Sequence, residues 1–187
     1  IELVQHSLAR PTVVDNVELS GPALAQAEQS PHRLLYATPA LAAPVHISGT
    51  AQIKVRLAST KPAANLSVWL VTLPWAEGPI SPANLITPGW ADAQNHAALS
   101  AGGNFNAKTR GEPLVPGRFY DLTFDLQPDD QIIPAGKRIG LMIFSSDRDF
   151  TLWPKPGTEL TIDLGATLLR LPVVGGDAAL DAATNGK

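Results

Sequence analysis

The segment that most restricts the fold is residues 117–146, GRFYDLTFDLQPDDQIIPAGKRIGLMIFSS. Its first half alternates strictly between apolar and polar residues, and the apolar positions are Tyr120, Leu122, Phe124 and Leu126. Strict alternation predicts a β-strand with one face in a core and the other face nearer to water.

The second half of this segment predicts a partner strand. The sequence QPDDQIIPAG contains two prolines, an aspartate pair and Gly136, which is typical of a loop. Ile139, Leu141 and Ile143 then share one face of a second strand. Two strands joined by roughly ten residues suit a β-sandwich better than a tight hairpin. We expect the following side chains to lie in its core: Leu122, Phe124, Leu141 and Ile143.

Further strands are predicted on both sides of this pair. Residues 45–59 alternate, with Ile53, Val55 and Leu57 on one face. Residues 64–75 are apolar on both faces, so something must cover a second side of this strand. Residues 158–174 close the body as one or two strands. Because helical periodicity is almost absent, we expect an all-β protein with a sandwich or jelly-roll architecture.

Composition narrows the class of protein. The chain has 187 residues, 44% of them hydrophobic, which is enough for a sizeable core. A net charge of −3 gives no basic patch for nucleic acid or an anionic membrane, and no run is apolar enough to span a bilayer. The absence of cysteine excludes disulfides and thiolate chemistry but leaves both a cytoplasmic and a secreted location open.

We predict three parts along the chain. Residues 1–33 form an N-terminal arm or linker, in which residues 20–33 include a weak helical patch that ends at Pro31. Residues 34–176 form the sandwich, and residues 177–187 form a fraying tail. Because the sequence begins Ile1-Glu2 without methionine, we expect a fragment or a processed product.

No catalytic constellation is visible. The G-x-S-x-G pentapeptide that lifts a serine nucleophile above an α/β-hydrolase sheet is absent. No histidine lies where it would serve a nucleophile, so we expect structural or exposed roles for His6, His32, His46 and His96. We therefore expect no catalytic residue and no cofactor in this chain.

The acidic and aromatic residues of the loops are candidates for metal binding and sugar binding, and simpler roles compete with both. Aspartates at positions 129, 130, 147 and 149 fit loop ligands for Ca²⁺, but acidic loops are more often solvated, and we expect no metal. Trp75, Trp90 and Trp153 sit where sugar-stacking platforms occur, yet such residues more often pack, and packing is favoured. Asn65-Leu66-Ser67 matches a glycosylation sequon only weakly.

An ordered series of motifs carries a family resemblance. It runs LYATPALAAPVHISG, ANLSVWLVTL, LITPGWADAQN, GRFYDLTFDLQP, AGKRIGLMIFSSD and LRLPVVGG, over about residues 34–176. The series resembles the C-terminal, non-catalytic domain of the Xaa-Pro dipeptidyl-peptidases and of the related cocaine-esterase-like acyl hydrolases. Its ITPGW, GKRIGLMIFSSD and LPVVGG motifs are most similar to the dipeptidyl-peptidase branch.

The resemblance implies a galactose-binding-like jelly roll fused behind an α/β-hydrolase domain. That domain would carry a Ser-Asp-His triad upstream of the residues matched here, so no triad member carries over. The partner would be the catalytic domain of the same polypeptide, which alone would meet the peptide substrate and release an Xaa-Pro dipeptide. A stand-alone carbohydrate-binding module is the alternative. A homo-oligomer is left open.

A docking surface for that catalytic domain is predicted on two strands that are apolar on both faces. Its residues are Trp69, Val71, Leu73, Met142 and Phe144. Large exposed apolar patches usually mark interfaces. The alternative, which the sequence leaves equally open, is that residues 1–44 or the 96–116 loop cover this face within the chain.

Overall fold

The computed structural model describes residues 2–3, 10–76, 78–100, 102 and 110–186. These residues form ten strands, two α-helices and two 3-10 turns, at Ala93–Asn95 and Leu164–Ala166. The strands are β1 (Glu2–Leu3), β2 (Thr12–Val14), β3 (Arg33–Ala37), β4 (Val45–Ser59), β5 (Asn65–Leu73), β6 (Leu85–Asp92), β7 (Phe119–Ile133), β8 (Arg138–Phe144), β9 (Glu159–Ile162) and β10 (Leu168–Arg170). The helices are α1 (Gly21–Gln26) and α2 (Gly176–Thr184).

The strands form two antiparallel sheets. The first sheet has the order β1-β3-β8-β5-β6. The second has the order β10-β4-β9-β2, and β7 pairs along β4. The prediction of an all-β sandwich is confirmed, whereas the jelly-roll and galactose-binding-like details stay predictions. The two strands predicted in residues 117–146 lie in different sheets, because β7 joins the second sheet and β8 the first.

The loop predicted over residues 127–136 is wrong for most of its length. Strand β7 continues through it to Ile133, and its last residues pair with the start of β4, where Ile133 lies opposite Val45. Pro128 is tolerated because it lies opposite Thr50, beside a register shift in β4. A proline in a sheet is accommodated at such bulges.

The main core lies between the sheets. The four side chains predicted to be core are all buried there: Leu122, Phe124, Leu141 and Ile143. The alternating face of β4 and the 66, 68 and 70 positions of β5 join them. These predictions are confirmed.

Elements from the predicted arm and from the predicted tail pack on the sandwich, and the three-part division stays a prediction. In the predicted arm, β2 pairs with β9, and α1 packs on the first sheet. In the predicted fraying tail, α2 spans Gly176–Thr184 and buries Ala183, whose carbonyl accepts a hydrogen bond from the Ala42 amide at 2.7 Å. Neither helix among the described residues is long enough to cross a bilayer.

Candidate functional site

The predicted docking residues lie on the outer face of the first sheet, but this face is covered. Trp69, Val71, Met142 and Phe144 are all 0% exposed, and Leu73 is half-buried. They form a second apolar cluster with Leu24 and Ala25 of α1 and Leu35 of β3. The structure therefore favours the alternative that residues 1–44 cover this face. A docking role for these five residues stays a prediction.

Helix α1 packs closely against Trp69. Ser20 caps the helix, its hydroxyl accepting from the Ala23 amide at 3.4 Å, and Pro22 fits the first turn. A methyl group added at Gly21 would lie 1.9 Å from the Trp69 ring. Glycine is therefore required for this close approach of helix backbone to indole.

A buried arginine binds the carbonyl groups at the C-terminal end of α1. Arg33 is 1% exposed, and its guanidinium Nε donates to the Leu24 carbonyl at 2.8 Å. Its Nη2 donates to the Ala27 carbonyl, so the carbonyl end of the helix is satisfied by a cation. Burial lowers the pKa of Arg33 below its ordinary value. A six-residue helix is too short to be stable alone, and Arg33 supplies part of the stabilisation that it needs.

A buried carboxylate joins the cluster to the next loop. Asp147 is 0% exposed, and its Oδ2 accepts hydrogen bonds from the indole nitrogens of Trp69 and Trp90, both at 2.9 Å. Burial raises the pKa of Asp147 above its ordinary value, and the hydrogen bonds from Trp90 and Trp69 oppose that rise. A single carboxylate oxygen therefore links the loop after β8 to both β5 and β6.

The loop after β8 carries exposed apolar side chains shortly after Asp147 in the sequence. We call residues 148–153 the tip. Phe150 is 54% exposed, Leu152 90% and Trp153 60%. One face of Phe150 still stacks on Trp90, with ring centroids 5.1 Å apart. The tip is therefore apolar on its outside and anchored in the aromatic cluster on its inside.

Hydrogen bonds from backbone and side-chain groups fix the conformation of the tip. The amides of Phe150 and Thr151 donate to the Asp147 carbonyl at 3.1 and 2.9 Å. The Thr151 hydroxyl accepts from the Asp147 amide at 3.0 Å, and the Asn65 side chain donates to the Leu152 carbonyl. The Trp153 indole donates to the Arg148 carbonyl at 3.1 Å, which closes the turn.

The N-terminal segment forms two hydrogen bonds with the same loop. The Asp15 carboxylate accepts from the Ser146 amide at 2.8 Å, immediately before Asp147. The Arg148 guanidinium donates to the Glu18 carbonyl at 3.1 Å. The tip therefore lies where the segment that leads into the sandwich crosses its surface.

The other predicted candidates do not assemble into a site. His32 lies 2.8 Å from the Val14 carbonyl, His46 pairs with Asp130 at the surface, and His96 packs on Tyr120. His6 lies outside the described residues. Within the described ranges, no three His, Cys, Asp or Glu residues are grouped to hold a metal ion.

The acidic and aromatic candidates have separate roles. Asp129 and Asp130 lie within β7, whereas Asp147 is buried after β8 and Asp149 lies in the tip.

The tryptophans do not share one platform: Trp75 stacks on Trp69, Trp90 stacks on Phe150, and Trp153 is exposed. A cleft of about 340 Å³ lies beside Trp90, between β6 and β7. Asn65 of the sequon uses its amide in the tip, and Leu66 is buried.

Comparison with known proteins identifies the family. Residues 5–185 match the family described as the X-Pro dipeptidyl-peptidase C-terminal non-catalytic domain. This chain belongs to that family. A Rhodopirellula baltica protein named "Putative Xaa-Pro dipeptidyl-peptidase" is 57% identical over 173 residues, which cover 91% of this chain and 26% of the relative. A Bacillus cereus protein of the same name is 34% identical over 76% of this chain and 22% of the relative.

A solved structure shares the sandwich fold of this X-Pro dipeptidyl-peptidase C-terminal domain. It is an aminopeptidase from a marine sediment archaeon, a Thaumarchaeota archaeon, with a TM-score of 0.62 and 14% identity. The match covers 92% of this chain and 34% of that one. The chain spans about a quarter of the length of the curated relatives that it matches.

Sequence reasoning missed the polar residues that organise this site. The sequence predicts a solvated loop around Asp147 and the end of a linker at Arg33. The available signal was weak: Asp147 follows a strand that is apolar on both faces, where a charged side chain needs a buried partner. The indole partners come from β5 and β6, 78 and 57 residues away, so only the fold reveals them.

Proposed function

We propose that this chain is the C-terminal part of a serine peptidase that releases N-terminal Xaa-Pro dipeptides. It packs against the α/β-hydrolase module of the same polypeptide and flanks the active site there. The observation that carries the proposal is 57% identity, across 91% of this chain, to an Xaa-Pro dipeptidyl-peptidase. The residues of this chain act by supporting the module, because the family is a non-catalytic domain.

The structure supports a supporting role over sugar binding. Trp75 and Trp90 each stack one ring face within the aromatic cluster. The indole nitrogens of Trp90 and of the exposed Trp153 donate to Asp147 and to the Arg148 carbonyl. A sugar platform needs an open ring face beside polar partners. The buried Trp69 cluster instead stiffens the loop whose apolar residues remain exposed.

Hydrolysis of chromogenic anilides tests the proposal. The full-length polypeptide should release the anilide from Gly-Pro-anilide and leave the matched Gly-Gly-anilide largely intact. The present chain alone should cleave neither, and changing the serine of an upstream G-x-S-x-G to alanine should abolish the full-length activity. Cleavage by this chain alone would contradict its non-catalytic role. A full-length protein that hydrolyses esters but not Gly-Pro-anilide would show that the substrate class is wrong.

A further inference from the structure

We propose that the tip is the contact by which this domain docks on its catalytic module, with Leu152 and Trp153 inserted into an apolar depression of that module. The proposal rests on the proposed function, because it requires an upstream module. It assigns the docking role to a loop rather than to the covered face of β5 and β8.

The first argument is the exposure of the tip. Leu152 is 90% exposed, Trp153 60% and Phe150 54%, all within four consecutive positions. The other large exposed apolar residues among those described come from five separate parts of the chain: Ile80, Val115, Ile132, Leu168 and Val174. A single exposed apolar residue is ordinary, whereas a concentration of aromatic and aliphatic side chains at one loop is typical of an interface.

The second argument is that the tip is preorganised. Its backbone is held by Asp147, Thr151 and Asn65, and its base is fixed by the two indoles on the Asp147 carboxylate. A mobile loop would lose conformational entropy on docking, and a braced loop has already lost it on folding. Hot-spot residues at interfaces are rigid aromatic and aliphatic anchors of this kind.

The third argument concerns the occupant. The curated relatives are about four times as long as this chain, and the family is C-terminal in them, so most of the polypeptide precedes this domain. The N-terminal segment, through Asp15 and Glu18, is hydrogen-bonded to the loop that carries the tip. An upstream module on the same polypeptide is tethered to this domain, which gives it a high effective concentration at the surface of the domain.

Hydroxyl-radical footprinting of the full-length polypeptide tests this contact. In this chain Leu152, at 90% exposed, is more accessible than Ile132 at 61% and Val174 at 53%, which serve as internal controls. Docking should reverse that order and reduce labelling of Leu152 at least about fivefold, as expected for the core of an interface. Labelling of Leu152 above that of Ile132 would overturn the proposal.

A matched pair of variants separates docking from other causes of protection. Leu152→Asp in the full-length protein should restore labelling of Trp153 and Phe150, whereas Ile132→Asp should leave the tip protected. Both positions are solvent-exposed here, so both variants should fold. If Leu152→Asp instead lowers the molar mass by light scattering from a multimer to a monomer, the tip joins two copies and the proposal fails.

The two proposals can fail separately. A protected tip in a full-length protein that does not cleave Gly-Pro-anilide would leave the docking contact standing and remove the substrate class. A fully labelled tip in an active dipeptidyl-peptidase would leave the function standing and remove the contact.

Discussion

The two apolar clusters of this domain are built in different ways. The core between the sheets is made of alternating faces from many strands of both sheets, and large apolar area holds it together. The cluster on the outer face of β5 and β8 is closed by one six-residue helix, α1. That helix is held by Arg33 and by the close fit of Gly21 on Trp69.

The difference shows that a strand with two apolar faces need not mark an intermolecular surface. Strands β5 and β8 are central in the first sheet and are buried on both sides within this chain. The outer face of these strands is covered by the short helix α1. The stability of this cover therefore depends on a few specific contacts rather than on a large buried apolar area. Three of the exposed large apolar residues lie instead on the tip, which contacts the covered cluster through Asp147.

The largest expected effect compares one residue from each cluster. Trp69→Ala should lower the free energy of unfolding by about 5 kcal/mol and Phe124→Ala by about 4 kcal/mol, within the range for buried aromatic residues. Trp69 should cost more because its loss also removes a hydrogen bond from the buried Asp147 carboxylate. Urea denaturation of the chain measures both. A cost below about 1 kcal/mol for Trp69→Ala would show that α1 does not cover the face in solution.

A smaller effect is expected where the helix meets the indole. Gly21→Ala places a methyl group 1.9 Å from the Trp69 ring, so α1 must shift outward. Overpacking of this kind should cost about 2 kcal/mol. The amides of Leu24 and Ala27 should also exchange faster with solvent, as α1 loosens.

The matched control for this change is Gly165→Ala. An added methyl group there meets only the Asp163 carboxylate, at 3.5 Å. Its effect should stay within about 0.5 kcal/mol of wild type. Equal costs for the two glycine variants would contradict the close packing of α1 on Trp69.

The third prediction concerns how the free energy of unfolding depends on pH through Asp147, the residue that links the Trp69 cluster to the tip. Burial raises the folded-state pKa of Asp147 above its ordinary value of 3.8, so the folded protein holds this proton more tightly than the unfolded chain does. That stabilisation is fully present below pH 3.8 and is lost as the pH rises through the folded-state pKa. Asp147→Asn keeps an oxygen for both indoles but does not titrate.

Denaturation of wild type and Asp147→Asn at a series of pH values checks this sign. The free energy of unfolding of wild type should fall relative to that of Asp147→Asn as the pH rises from 3.8. A rise over the same interval would mean that the two indole hydrogen bonds outweigh the desolvation of the carboxylate.

Much of the sandwich was predictable because period-two patterns carry their own structural meaning. The alternation of β4 and β7 identified the buried faces, and the two-sided apolar pattern of β5 indicated a cover on its second face. The end of β7 was not predictable, because Pro128 and the Asp129-Asp130 pair are typical of a loop. Pairing with β4 across a bulge overrode that local preference.

The sequence by itself determined that this chain is an all-β sandwich, which side chains enter its core, and that it resembles its family. These properties depend on residue periodicity and motif order, which are local along the chain. The tertiary structure decided what covers Trp69, where Arg33 and Asp147 find partners, and which apolar residues stay in water. These depend on contacts between residues distant in sequence: α1 reaches β5 only through the fold, and Asp147 lies 78 residues from Trp69. No local pattern encodes such a meeting, because the hydrogen bonds and the burial arise only when the strands have assembled.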